Sequence, residues 1–267
     1  MAALTPAQQY CFDCSGYLVL RAALQPSHLA TVAASGPAQQ AAVLGAQPGV
    51  RPVLVALAEL GQPVEAPGFS DWAPELYTPQ PGSEVLTPPR GTAAYRVVNH
   101  PTALERLRSY DCRNGLRLCE RLTALVPLDD PPDPGRGGLA VSVASHQARL
   151  ELPRQADALA GSVRPPLRRG DVAILCAGLC WGLAAEGGQR LLRCDYRSAV
   201  ADYGADAAPE RGLPQWAAKL GPAERAILLG ERSPAEERQR QAANAVQAED
   251  KEGCEAAEGL YHWEKDG

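Results

Sequence analysis

The sequence carries no excess of positive charge, no long uninterrupted apolar run and few histidines, and the first two absences each remove a class of function. Its formal net charge is −5, so no global positive field is available to draw in a polyanion and direct nucleic-acid binding is not expected. The basic cluster RPPLRR, Arg164 to Arg169, reads as a solvated loop ahead of a strand. The longest apolar run, Val172 to Ala185, spans about fourteen residues and contains two glycines, whereas a membrane-crossing helix needs roughly twenty apolar residues. No transmembrane segment is expected. The opening MAALTPAQQYCFD has neither a basic start nor an apolar core, so no secretory signal is read and an intracellular location, cytoplasmic or organellar, is expected.

In such a compartment the eight cysteines are expected to be reduced thiols that pack as small apolar groups. Cys11 and Cys14, in CFDC, have zinc-knuckle spacing. No second C-x-x-C follows, the pair is read as straddling a helix-to-strand junction, and a structural zinc site takes four ligands, so the spacing alone does not define one.

What is present is enough chain, 267 residues, to bury one sizeable core. Thr5 followed by Pro6 is a helix start. The helix is expected to end near Ser15 and Gly16, with YLVL, Tyr17 to Leu20, as a compact strand. QPSHLATVAA restarts a helix with His28 on its surface. From Gly45 to Gly91 proline and glycine recur around isolated apolar pieces such as PVLVALAEL, and the segment reads as loop-heavy surface. HPTALERLRSYD predicts a helix with Leu104 and Leu107 on one face. LRLCERLTALVPL and LAVSVASH, Leu139 to His146, follow, joined by the turn cluster DDPPDPGRGG; the second alternates like a half-buried strand, and the pair argues for an antiparallel scaffold. GDVAILCAGLCWGL is a buried strand leading into a turn. QRLLRCDYRSAV is a further strand after the turn AAEGG. The carboxy-terminal part is helical: PAERAILLGER and SPAEERQRQAANAVQAEDKEG both open with proline in the first turn, and Ser233 with Glu236 forms a capping box. Ala242, Ala245 and Val246 share one face of that last helix, and the ending LYHWEKDG carries two aromatics and His262.

Several of these pieces, in this order, resemble the phytanoyl-CoA dioxygenase-like family. FDCSGYLVLRAAL is similar to its opening strand, LVPLDDPPDPGRGGLAVSVASH to its central hairpin, GDVAILCAGLCWGLAAEGGQRLLRCDYRS to the strands bearing the distal iron histidine and the arginine that grips 2-oxoglutarate, and PAERAILLGER to its carboxy-terminal helix. The resemblance implies a mainly β fold with flanking α-helices, a double-stranded β-helix of the jelly-roll or cupin type with N- and C-terminal helices. It covers about a third of the chain while spanning almost all of it.

The family's chemistry needs a histidine, an acid two residues later and a distant second histidine to hold one face of an iron ion. Among the four histidines only His262 is followed by an acid at that spacing, Glu264, and it lies after the distal position. At the distal position the resemblance places Trp181, whose indole has one N–H donor and no lone pair for a metal. The upstream pair falls on Ser109 and Asp111, or on another alignment on Pro89 and Gly91. Neither supplies a histidine. Cys176 and Cys180 are four apart, and strand alternation gives them the same face, which permits another site with Asp111; two apolar core thiols are the plainer expectation. Arg190, nine residues after Trp181, falls where the 2-oxoglutarate arginine belongs and is a candidate carboxylate clamp. Arg193 is the neighbouring candidate if the turn is aligned differently, and its odd spacing from Arg190 sends it to the other face. His146 closes its strand as a hydrogen-bonding residue.

These readings lead to a catalytically inactive protein of this type, with no catalytic residues, no metal and degenerate positions at Trp181, Ser109 and Asp111. It would act as a structural or binding subunit with protein partners in a larger complex. No cofactor is expected beyond 2-oxoglutarate bound without iron. The alternatives are an active oxygenase with a non-standard metal site and a 2-oxoglutarate sensor acting through Arg190. Residues 1–230 are expected to form the domain, and 231–267 a helix and tail able to dock.

Overall fold

The computed structural model describes residues 4–59, 77–80, 82–89, 94–113, 116–133, 137–155, 157–198 and 213–229. The capping box at Ser233, the face of Ala242, Ala245 and Val246, the ending LYHWEKDG and Gly91 lie outside the described residues. The description concerns the compact unit Met1–Gly230.

Helix α1, Pro6–Ser15, begins where the Thr5 hydroxyl accepts from the Gln8 amide while the Gln8 side chain accepts from Thr5, a reciprocal cap that satisfies two donors of the first turn. It stops at Gly16, whose φ of +81° is the left-handed turn that lets the chain run straight into β1, Tyr17–Leu20. Proline opens both α2, Pro26–Ala34, and α3, Pro37–Gly45. Part of the stretch read as loop-heavy surface is ordered differently: Arg51–Glu59 is a helix, α4, and Tyr77–Pro79 and Glu84–Leu86 are strands β2 and β3. In α4 the side chains of Val53, Leu54, Ala56 and Leu57 are buried, so a short apolar run became a helix through the partner it covers.

The remaining elements are β4, Tyr95–Asn99; α5, Ala103–Ser109; β5, Tyr110–Arg113; β6, Leu116–Cys119; β7, Arg121–Pro127; β8, Leu139–Ser142; β9, Val172–Cys176; β10, Cys180–Ala184; β11, Leu191–Ser198; and α6, Pro222–Leu229. They form an antiparallel sheet in the order β1-β9-β7-β11-β2, with β3 also on β11, and a second sheet in the order β4-β10-β8. From β7 to β11 successive strands alternate between the two sheets. β5 and β6 make a separate hairpin.

Period-2 alternation separates two cores. Along β11, Leu192, Cys194 and Tyr196 join the residues of α1 to α4 and α6 in the larger core, where the Tyr196 hydroxyl donates to Ala41 O at 2.8 Å. Leu191 joins the other core, which unites Leu125, Ala173 and Leu175 of the first sheet with Leu139, Val141, Trp181 and Leu183 of the second. Buried Asp171 secures the entry to β9 by accepting from Arg21 Nη1, the Ala22 amide and the Arg168 amide.

Three local expectations are corrected. The strand ending in His146 stops at Ser142, and Ala144, with φ of +61°, turns the chain into a 3-10 turn at Ser145–Gln147. The apolar run of GDVAILCAGLCWGL is two strands, one in each sheet. In α5, Leu104 and Leu107 are exposed while Arg106 is 1% exposed, because the inner side of this helix meets backbone carbonyls instead of an apolar core.

Candidate functional site

Trp181 occupies the space between the two sheets. It sits on the central strand of the second sheet, paired with Asn99 of β4 on one side and Val141 of β8 on the other, and is 1% exposed. From the facing sheet Arg193 lays its guanidinium over the indole, 5.9 Å from the ring centroid, a cation–π contact. Arg193 also binds Asp195, two residues along the same strand face, through Nε to Oδ1 at 3.1 Å and Nη2 to Oδ2 at 2.9 Å. Asp195 Oδ1 in turn accepts from the Thr123 hydroxyl at 2.7 Å. Opposite, Asn99 Nδ2 donates to Ala177 O at 2.8 Å and Leu179 O at 2.7 Å, clasping the β9–β10 turn.

The segment that adjoins Trp181 is thus the end of β4, Asn99–His100–Pro101, which neither sequence alignment proposed. The signal was available only as strand pairing. His100 is turned away, its Nε2 donating to Pro153 O at 2.9 Å. Ser109 lies at the end of α5 with its hydroxyl donating to Glu105 O, Asp111 lies on the separate β5–β6 hairpin opposite Leu118, and Pro89 belongs to no strand. None of the three stands in the strands that flank Trp181.

The cysteine site is also dispersed. Cys176 ends a strand of the first sheet and Cys180 begins one of the second, so the intervening turn cancels the alternation that would have put them on one face; Cys176 lies in the larger core and Cys180 in a small third cluster with Ala140, Ala158 and Leu159. Cys176 approaches Cys119 instead, with Sγ atoms 3.8 Å apart. Cys11 and Cys14 both lie within α1, not across its junction with β1. Burial pushes the Cys180 thiol up to about 11, and raises Cys176 and Cys194 strongly. Iodoacetamide at pH 8 is therefore expected to alkylate exposed Cys11 and Cys14 in the native protein and to reach Cys119, Cys176, Cys180 and Cys194 only after unfolding. Peptide mass spectrometry of native and urea-treated samples checks this, and modification of a core thiol at the rate of Cys11 would refute it.

Arg190 precedes β11 and is half exposed. Its guanidinium holds Asp129 by two parallel bonds, Nε to Oδ2 at 2.7 Å and Nη2 to Oδ1 at 2.8 Å. Those bonds hold the Asp129 carboxyl below the usual range. The arginine that faces the space between the sheets is Arg193, the neighbouring candidate, which its odd spacing from Arg190 puts on the other face of the strand.

This donor set does not fit an iron centre of the His-x-acid and histidine type. Around Trp181 the chain offers an indole, an amide satisfied by two carbonyls, and a carboxylate already bound to arginine. Among the described residues no group of three or more His, Cys, Asp or Glu side chains is arranged to hold a metal ion, and no helix is long and apolar enough to cross a membrane.

In shape the chain is similar to HygX from Streptomyces hygroscopicus. The likeness to HygX with nickel and 2-oxoglutarate bound has a TM-score of 0.51 at 19% identity, over 74% of this chain and 88% of HygX. With nickel, 2-oxoglutarate and hygromycin B bound, the TM-score is 0.52 at 19% identity, over 73% and 88% of the two chains. A non-heme α-ketoglutarate-dependent carbocyclase, SnoK of nogalamycin biosynthesis, is similar at a TM-score of 0.44 and 17% identity over 73% of this chain and 85% of SnoK, too low to argue from. At such identities the likeness to HygX shows the fold alone. No protein-family model matches the chain, and no curated protein does.

Proposed function

We propose that the two sheets form a double-stranded β-helix of the 2-oxoglutarate oxygenase type, that the chain is a degenerate relative of the phytanoyl-CoA dioxygenase-like family, and that it serves as a catalytically inactive structural or binding subunit of a larger assembly. Residues 1–230 are the domain on this reading, and 231–267 the segment that docks. The observation that carries it is Trp181, buried between the sheets with Arg193 stacked upon it. An indole fills that space as a packed core residue, and the adjoining Asn99 spends its donors on the β9–β10 turn. The alternation of strands between sheets and the likeness in shape to HygX support the fold part of the reading.

A sensor that binds 2-oxoglutarate without turning it over is the second reading, and the interior position of Arg193 favours that residue over Arg190 for the acid. Each guanidinium already holds a carboxylate of its own chain, so a ligand must displace Asp195 or Asp129.

Succinate formation from 2-oxoglutarate by the purified chain, reconstituted anaerobically with Fe(II) and then exposed to oxygen, tests the proposal. The expected result is no succinate above the protein-free control, with iron recovered unbound after gel filtration, for the unmodified chain and for Trp181→His alike. A single imidazole leaves the set short of its other histidine and acid. Turnover by the unmodified protein would overturn the proposal.

A further inference from the structure

We propose that Cys119 and Cys176 are a redox-sensitive pair that closes to a disulfide under peroxide and staples the corner between β6 and β7 to the point where the chain leaves the first sheet for the second. The pair belongs to the larger core and not to the space around Trp181, so the proposal holds for an active and an inactive protein alike.

The backbone brings the two thiols together. Cys119 is the last residue of β6 and Cys176 the last residue of β9. Only Glu120 separates β6 from β7, and β7 pairs antiparallel with β9, with Leu122 opposite Cys176. The Ala177 amide donates to Arg121 O at 3.0 Å. Ladder bonds thus fix both segments, and the sulfur atoms of residues 57 positions apart in sequence lie 3.8 Å from each other inside one core. A disulfide holds its sulfurs about 2.05 Å apart, so each Sγ has to advance by about 1 Å, a shift within reach of side-chain torsions. Cys119 gives up its contact with Arg121 O, 3.4 Å from its Sγ, and a thiol is a weak donor. The other buried thiols lie elsewhere: Cys180 is in the cluster of Ala140, Ala158 and Leu159, and Cys194 is on β11, which β7 separates from β9.

The oxidant is hydrogen peroxide, which is small and neutral. It meets Cys119 first, because that residue is 5% exposed and Cys176 is fully enclosed. The Cys119 sulfur attacks one peroxide oxygen, the O–O bond breaks, and the other oxygen leaves with the thiol proton as water, which makes a sulfenic acid. Cys176 Sγ then attacks the Cys119 sulfur. The S–O bond breaks and the hydroxyl leaves with the Cys176 proton as a second water, so two electrons pass from the two thiols to one peroxide. Burial, reinforced by the neighbouring Cys119, holds the Cys176 thiol well above its usual range, which keeps the pair reduced until peroxide accumulates. The finished bond anchors the β9–β10 turn at its first residue, where the Leu179 amide already donates to Cys176 O at 3.1 Å. Asn99 clasps the same turn from β4.

The test exposes the reduced full chain to hydrogen peroxide at a dose that oxidises the exposed Cys11 and Cys14. Remaining thiols are alkylated in urea, and non-reduced tryptic peptides are read by mass spectrometry. The expected product joins LCER, Leu118 to Arg121, to GDVAILCAGLCWGLAAEGGQR, Gly170 to Arg190, and it persists in Cys180→Ser, which removes the second thiol of the longer peptide. Cross-linking residues so far apart in sequence is expected to raise the melting temperature on the order of 10 °C above the reduced form. That rise disappears in Cys119→Ala and in Cys176→Ala, each compared with its own reduced form, and amide exchange at Leu179 slows only in the oxidised parent. Cys119 and Cys176 remaining reduced at that dose, a link that forms only in urea, a bond through Cys180, or an oxidised form that melts no higher than the reduced one would each overturn the proposal.

Discussion

Trp181→Ala is expected to lower the unfolding free energy by about 3–5 kcal/mol, the range for removing a large buried aromatic side chain. The indole touches both sheets, since the core that includes it takes Leu125, Ala173, Leu175 and Leu191 from one and Leu139, Val141 and Leu183 from the other. Its loss leaves a void that neither sheet can close without breaking ladder hydrogen bonds. It also leaves Arg193 without the ring it covers, although Asp195 still holds that guanidinium. Trp181→Phe keeps a smaller aromatic ring in the space and is expected to cost markedly less. Urea unfolding followed by circular dichroism checks both, with the slope of free energy against urea unchanged if only the core is affected. A Trp181→Ala variant as stable as the parent would mean that the indole is not a packing element, and the proposed pseudoenzyme reading would lose its carrying observation.

Gly182→Ala is expected to be nearly as damaging, by about 3 kcal/mol or more, although it adds a single methyl group. A Cβ built at this position lies 2.3 Å from Arg96 O, 2.9 Å from Val97 Cα and 2.8 Å from Leu159 Cδ1. Two of those three contacts are backbone, which cannot swing aside as a flexible side chain does. The register between β10 and β4 shifts between Trp181 and Gly182, so glycine allows the two strands to close again directly after that irregularity. The expected result is a fall in melting temperature on the order of 10 °C, with amide exchange accelerated first along the β4–β10 pair. Unchanged protection of Val97 and Leu183 amides in a folded variant would contradict this account.

The two substitutions share a cause, because neither residue is explained by its neighbours in sequence. A tryptophan before a glycine is ordinary until strand pairing puts Trp181 between Asn99 and Val141 and Gly182 between Val97 and Ala140. The same holds for α5. Its sequence offers Leu104 and Leu107 as an apolar face, and a helix with that face inward would be the simplest outcome. The carbonyls of Pro101, Ala148 and Leu150 select Arg106 instead, and two of them come from the segment after β8, more than forty residues away.

What the sequence by itself determined is what short-range chemistry controls. The cap at Thr5 and Gln8 with the stop at Gly16 set α1, the prolines set the starts of α2 and α3, and two-residue alternation set β11. The want of paired histidines and acids was legible in the same way, by counting. The tertiary structure alone decided which distant residues share a space. The crossing of the chain between sheets after Cys176 separated Cys176 from Cys180, the pairing of β4 with β10 brought Asn99 rather than Ser109 or Asp111 beside Trp181, and the pairing of β11 with β7 turned Arg193 inward while Arg190 bound Asp129. Strand pairing joins segments far apart in the chain, and a one-residue difference in register reverses every side chain, so no local pattern carries that information.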